Sequence, residues 1–307
     1  MFESYSLENK VILITGASTG IGAALAQSLA SQYENIQLIL ASRDQSKLNE
    51  IANSCQQQGI ETLVVPTDMA ETAQVKDLAK TAIATFGKVD VLINNAGYGQ
   101  MGAIELIPPA AAQKQMAVNF HGVLTLSQAL IPTMRNQGAG RIINVSSLGG
   151  RIPFPAAGMY SCSKFALEAL SDVLRMELKA FKIKVIVVEP GPVVTDFFRV
   201  AWQEVLQAIP NYADTPYAPI FKNIEAIDSQ LEILGWSAEK TANKIIKAIA
   251  KPNPRPRYIL ATGGNMLVFM MTKVLPTSLR DAFWRRLYGV HKIKGYVEDG
   301  EWKITNE

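Results

Sequence analysis

Tyr160 and Lys164 stand four residues apart, and Ser147 lies thirteen residues before the tyrosine. Side chains at i and i+4 share one face of a helix, a turn apart. A phenol has an unperturbed pKa of about 10, which makes it a poor proton donor or acceptor at neutral pH. An ammonium one turn away favours the phenolate and is expected to lower that pKa. A phenol tuned in this way can exchange a proton with a substrate oxygen. A hydroxyl such as that of Ser147 can hydrogen-bond the same oxygen and stabilise charge developing there. Tyr-x-x-x-Lys on its own also describes many solvated helix pairs, so its chemical reading depends on the rest of the chain.

A second constellation lies near the start. Lys10-Val-Ile-Leu-Ile-Thr15 is a short apolar run of strand type. It enters Gly16-Ala-Ser-Thr-Gly20-Ile-Gly22 and then Ala23–Ala30, a strong helix former. Strand, glycine turn and helix aim free backbone N–H groups and a positive dipole end at a phosphate. The spacing is G-x-x-x-G-x-G rather than G-x-G-x-x-G, and an ordinary βα turn is the alternative.

The elements that must position these residues alternate along the chain. The predicted strands are Val11–Thr15, Ile36–Ala41, Thr62–Pro66, Val89–Asn94, Arg141–Ser146, Lys184–Glu189 and Arg257–Ala261. The predicted helices are Ile21–Ser31, Asp44–Gln58, Glu71–Phe86, Ala110–Met134, Tyr160–Phe181 and Ala238–Ala250. Continuous Val/Ile/Leu runs suit parallel strands covered on both faces. Together they predict an α/β fold: a doubly wound parallel sheet of about seven strands with helices on both faces.

Composition narrows the function classes. The 307 residues are 48% hydrophobic, ample for a large core, and carry 30 basic against 27 acidic side chains. Near-neutral charge gives no reason to expect a nucleic-acid partner. Cys55 and Cys162 lack the spacing of a metal site or a disulfide framework, and His121 and His291 are far apart, so no metal is expected. Cys162, off the Tyr160/Lys164 stripe, is expected to be buried and inert. The opening Met-Phe-Glu-Ser-Tyr-Ser-Leu-Glu is acidic with no apolar core, so a cytoplasmic location is expected.

Taken in order, Thr15-Gly-Ala-Ser-Thr-Gly-Ile-Gly22, Asp68, Asn94-Asn-Ala-Gly97, Asn119, Asn144-Val-Ser-Ser147, Tyr160-Ser-Cys-Ser-Lys164 and Pro190-Gly-Pro-Val-Val-Thr195 resemble the short-chain dehydrogenase/reductase family in its classical branch. The resemblance covers about residues 8 to 262. It implies a single Rossmann-type domain, a nicotinamide dinucleotide, and hydride transfer between an alcohol and a carbonyl. Gly16, Ser18, Thr19, Gly20, Ile21 and Gly22 would form the pyrophosphate loop. Asp68 would bond the adenine amine, with the Met69 backbone beside it. Asn95, Ala96 and Gly97 would line the adenosine ribose. Pro190, Gly191, Val193 and Thr195 would meet the pyrophosphate or carboxamide end. Tyr160 would be the general acid of reduction and base of oxidation. Lys164 would tune it and bond the nicotinamide ribose, Ser147 would hold the substrate oxygen, with Ser146 as its rival, and Asn119 would hold a water linking Lys164 to solvent. A homodimer or homotetramer is also implied. Cofactor-binding sensors without turnover and nucleotide-sugar epimerase-type relatives share the fold and are the alternatives.

Cofactor choice turns on the end of the second strand. NAD-binding members of this fold place a carboxylate there. This chain has Ser42 and then Arg43, and a guanidinium can bind a 2′-phosphate with paired hydrogen bonds. NADP(H) is therefore expected, with NAD(H) as the alternative because Asp44 is one position away.

Two segments fall outside the alternation. Residues 197–235 are rich in large apolar side chains (Phe197, Phe198, Trp202, Tyr212, Tyr217 and Phe221), and the resemblance makes them a substrate lid. Their character favours a small hydrophobic carbonyl or alcohol such as a steroid, retinoid or acyl compound. Residues 263–307 form an extension in which Met266-Leu-Val-Phe-Met-Met271 precedes Arg280, Trp284, Arg285 and Arg286. The apolar run is too short to span a bilayer. A basic aromatic helix can lie in a membrane interface, or it can pack on its own core or a neighbouring subunit.

Overall fold

Alternate residues of the first strand face opposite layers, as the period of a strand requires. Ile12 and Ile14 join one apolar cluster, and Val11 and Leu13 join the other. The computed structural model describes residues 5–224, 235–298 and 301–304. The strands are β1 (Val11–Thr15), β2 (Gln37–Ser42), β3 (Glu61–Pro66), β4 (Val91–Asn94), β5 (Gly140–Val145), β6 (Ile183–Pro190), the short β7 (Val193–Val194) and β8 (Trp236–Ser237), and β9 (Arg257–Leu260). Seven of them form one sheet, ordered β3-β2-β1-β4-β5-β6-β9 and parallel throughout. β7 and β8 pair separately.

Helices cover both faces. α1 (Gly20–Gln32), α2 (Gln45–Gln56) and the helix Ala238–Ile249 pack through Leu25, Leu48 and Ile245 into one cluster. α3 (Thr72–Phe86), α5 (Gly122–Asn136) and α6 (Gly158–Glu177) pack through Leu78, Leu126 and Leu174 into the other. The strand order reverses between β1 and β4, and the carboxyl ends of the strands open there into a crevice, the usual place for a ligand in a sheet of this kind.

The predicted helix Ala110–Met134 is interrupted. α4 (Pro109–Met116) runs into a π turn, Ala117–His121, before α5 begins. The extra residue of a π turn leaves the apolar spacing nearly intact, which is why the sequence pattern reads as one helix. α6 corrects a second expectation. Cys162 is exposed, because α6 buries the face carrying Tyr160, Lys164, Leu167 and Ser171 and turns the opposite face to solvent.

Beyond β9 the chain turns at Gly263 (φ +68°) into the helix Gly264–Phe269 and a π turn, Met270–Val274. Pro276 then precedes the helix Thr277–Leu287, and the strands Gly295–Glu298 and Glu301–Ile304 form an antiparallel hairpin. The inner side of this extension packs on the core: Val268 and Met271 cluster with Ile152, and Trp284 rests against them. α7 (Phe197–Ala208) opens the expected lid segment, of which residues 225–234 lie outside the described residues. So do 299–300 and 305–307 of the extension and residues 1–4 of the N-terminus.

Candidate active site

The crevice begins with two turns stitched together. Gly16 has φ +66°, and a Cβ there would come within 2.9 Å of the Ala96 Cα. The Asn95 side chain donates to the Thr15 and Gly16 carbonyls at 3.0 and 3.2 Å, and the Thr15 hydroxyl accepts from the Asn95 and Ala96 N–H groups at 3.0 Å. Gly20 lies against Thr195, whose methyl would be 3.3 Å from a Cβ. The glycines bring the backbone of the loop to the cavity wall, a cradle suited to a pyrophosphate.

One cavity of 1020 Å³ runs from this loop to the far end of the fold. Its wall includes Gly16, Ser18, Thr19, Gly20, Ile21, Arg43, Asp68, Met69, Asn95, Ala96, Gly97, Pro190, Gly191, Val193 and Thr195, and also Ser147, Tyr160 and Lys164. Gly22 and Asn119 are not on the wall. A Cβ at Gly22 would overlap the Gly16 carbonyl, so this glycine lets α1 approach the loop from behind and does not face the crevice. Asn119 is fully buried. Its amide accepts from the Tyr98 N–H at 3.2 Å and donates to the Tyr98 carbonyl at 3.0 Å and to the Ser163 hydroxyl at 3.1 Å. The π turn thus ties the strand-end turn to α6, directly beneath Gly97.

At the end of β2 the Ser42 hydroxyl donates to Ser18 at 2.8 Å. Asp44 is engaged elsewhere: it caps α2 by accepting from the Lys47 N–H at 3.1 Å. Arg43 is exposed on the cavity wall and makes no ion pair or side-chain hydrogen bond among the described residues. Asp68 accepts from the Ala70 N–H at 2.9 Å.

Tyr160 and Lys164 of the chemical centre are buried. Tyr160 is buried on α6 and hydrogen-bonds Ser147, whose hydroxyl accepts from the Gly149 N–H at 3.0 Å. Burial pushes the phenol up to about 12, and the Ser147 bond pulls in the other direction. Burial also pulls the Lys164 ammonium down to about 8, against the pull of Glu168 one turn further on. The expected lowering of the phenol by Lys164 is therefore not the ruling effect in the protein alone. The ammonium points at the Val145 carbonyl, 2.9 Å away, and sits 5.8 Å from the centre of the phenol ring. Ser146, the rival of Ser147, is also on the wall, with its hydroxyl buried and without a partner among the described residues.

Tyr98, Phe154 and Tyr288 carry no local sequence signal, whereas Phe197 and Trp284 stand out only as aromatic residues of the lid segment and the extension. Tyr98 lines the cavity with its hydroxyl buried and unpartnered, and burial pushes it well up. Phe197 meets the Tyr160 ring edge-on at 5.6 Å. Phe154 stacks on Tyr288 at 5.5 Å and lies 5.8 Å from Trp284, so the C-terminal extension closes the far wall. Behind Lys164, Arg257 joins Glu168 at 3.0 Å, Asp172 at 2.6 Å and Glu189 at 3.4 Å, and Arg151 meets Glu189 at 2.9 Å. The one available signal for this network was Glu168, a helical turn beyond Lys164.

The short chain dehydrogenase family profile matches residues 10–205. The chain belongs to the short-chain dehydrogenase family. Within it, the chain is 33% identical over 285 residues to the 3-ketodihydrosphingosine reductase of Bacteroides thetaiotaomicron, an alignment covering 92% of this chain and all of the relative. Among solved structures it resembles a short chain dehydrogenase/reductase from Burkholderia phymatum in complex with NAD, with TM-score 0.75, 30% identity and coverage of 87% and 92%. It also resembles a metagenomic short-chain oxidoreductase in complex with NADP, with TM-score 0.65, 26% identity and coverage of 83% and 97%. Family membership makes the chain an oxidoreductase that binds a nicotinamide cofactor and acts on a small molecule.

Proposed function

We propose that this protein interconverts a lipophilic carbonyl compound and its alcohol with NADP(H). The reading is carried by one observation: Ser147, Tyr160 and Lys164 face a cavity that joins the glycine cradle to an aromatic bowl. A bound nicotinamide dinucleotide supplies the hydride. Ser147 holds the substrate oxygen. Tyr160 delivers the proton in reduction and takes it in oxidation. Lys164 holds the nicotinamide ribose and draws the buried phenol back from about 12 toward the working pH. Asn119 fixes the Tyr98 backbone beside them, and a water on its amide would pass protons from Lys164 outward.

Phe154, Phe197, Trp202 and Trp284 give the far end of the cavity its character. With α7 along it, it suits a long apolar chain. The likeness to a reductase named for 3-ketodihydrosphingosine supports a keto lipid. Arg43, free at the end of β2, supports NADP(H). Phe165, Val173 and Met176, exposed on α6, support a homodimer or homotetramer built on that helix.

The test is NADPH oxidation with a series of keto compounds of increasing chain length. Turnover is expected with the long members, and Tyr160→Phe is expected to lower kcat by about a hundredfold or more while keeping nucleotide affinity. A Tyr160→Phe enzyme within about tenfold of wild type would remove Tyr160 from its role.

A further inference from the structure

Most large apolar residues exposed on the described surface fall in two places. One is α6, assigned above to self-association. The other is the C-terminal extension: Met266, Leu267 and Phe269 on its short helix, and Leu279, Phe283 and Leu287 on the helix Thr277–Leu287. Met266 is 66% exposed and Leu279 and Phe269 are each 56% exposed, and exposed apolar side chains gathered in one region, unlike single ones, mark an interaction surface.

The helix Thr277–Leu287 is two-sided. Trp284 rests on Phe154, and Arg280 donates to the Met271 carbonyl at 3.0 Å, so one face belongs to the fold. Leu279, Phe283 and Leu287, four residues apart, form the other face, and Arg286 lies one helical turn from Phe283 and two from Leu279 along it. The stretch between Gly263 and Gly295 is strongly basic, and the acidic residues Glu298, Asp299, Glu301 and Glu307 follow it. Lys273, Arg285, Arg286, Lys292 and Lys294 are exposed and form no ion pair among the described residues, and Asp281 is the one acidic residue between Gly263 and Gly295.

We propose that this face docks on an anionic lipid bilayer. An apolar stripe beside uncompensated cations complements a surface of acyl chains under anionic headgroups. A second copy of the chain would bring like charges together across a two-fold axis, which opposes pairing through this face. No helix among the described residues is long and apolar enough to cross a membrane, so the contact lies in the interfacial plane. Leu267 and Leu287 are exposed and also line the cavity. The cavity therefore opens within the docking face, and a lipid substrate passes from the bilayer into it without crossing water. That delivery step rests on the lipid substrate proposed above. The docking does not.

The experiment is flotation of the full chain with phosphatidylcholine vesicles containing roughly a third phosphatidylglycerol, a composition that gives the surface its negative potential. Wild type is expected to float at low salt, and Tyr160→Phe is expected to float equally, which separates docking from catalysis. Lys273→Ala/Arg285→Ala/Arg286→Ala is expected to lower the partition coefficient on the order of a hundredfold, at about fivefold per cation. Leu279→Ser/Phe283→Ser is expected to remove the salt-resistant part of binding. Wild type left unfloated at low salt overturns the proposal. So does sedimentation of the wild type as a dimer that Leu279→Ser/Phe283→Ser dissociates, because the face would then belong to a second copy.

Discussion

Lys164 carries its function at a cost to stability. Its fall from 10.5 to about 8 corresponds to roughly 3 kcal/mol of unfavourable burial at neutral pH. Between about pH 8 and 10.5 the unfolded chain binds a proton at this residue that the folded chain lacks, so stability rises with pH there. Tyr160 acts in the opposite sense, because between about 10 and 12 the folded phenol keeps a proton the unfolded one has lost. Lys164→Met removes the first effect alone. Urea titrations of both proteins are expected to show wild type gaining on the variant from pH 8 upward, and a constant gap would refute the lowered pKa of the buried lysine. Arg43 supports a second prediction. A guanidinium–phosphate contact is a charged hydrogen bond of about 1.5–3 kcal/mol, so under the proposed NADP(H) reading Arg43→Ala should cost NADPH about ten- to a hundredfold in kcat/KM and leave NADH unchanged. Equal loss with both cofactors would show Arg43 to be structural.

The π turn Ala117–His121 is the element on which the site's register depends. Asn119→Ala deletes three hydrogen bonds and leaves the Tyr98 N–H without a partner, while the Tyr98 carbonyl keeps the Gln115 amide at 2.8 Å. A loss of about 2–4 kcal/mol in unfolding free energy is expected, with weaker nucleotide binding because the Asn95–Gly97 turn loses its support. Calorimetry and nucleotide titration would check both, and an unchanged melting transition would contradict the assignment. At this scale the sequence was informative where the physics is local. All seven strands of the main sheet were readable because each is a short run of Val, Ile and Leu closed by turn residues, and the glycine turn because Gly16 needs a positive φ. The π turn was hidden because one extra residue barely disturbs helical spacing. Gly22 and Cys162 were misplaced because burial depends on which face of a helix meets the sheet, and the spacing of Tyr160 and Lys164 shows only which residues share a face.

Across the whole molecule the cavity is a joint product of distant segments. Tyr98, Phe154, Phe197, Trp284 and Tyr288 meet only in the folded chain, so no window of sequence contains the substrate wall, whereas the cofactor half is written in contiguous motifs. Trp284→Ala opens the far wall. It is expected to raise KM for long-chain ketones by about tenfold, the scale of one lost aromatic contact, and to leave short ketones and nucleotide affinity unaltered. Steady-state kinetics on a chain-length series would show it, and an equal effect on short and long substrates would place Trp284 outside the substrate path.

The order of these segments has a consequence for biosynthesis. β1, β2, β4 and the glycine turn leave the ribosome early, and β6 ends at Pro190, while Trp284 comes 94 residues later. At about 5–20 residues per second, that interval lasts roughly 5–20 s. Throughout it the nascent chain carries Phe154 without Trp284 and Tyr288, the rings that pack on it. The protein thus gains its nucleotide cradle before its substrate side is sealed, and a ribosome stalled in this stretch displays a sticky aromatic bowl. Chaperone capture and degradation of stalled chains should concentrate on that window.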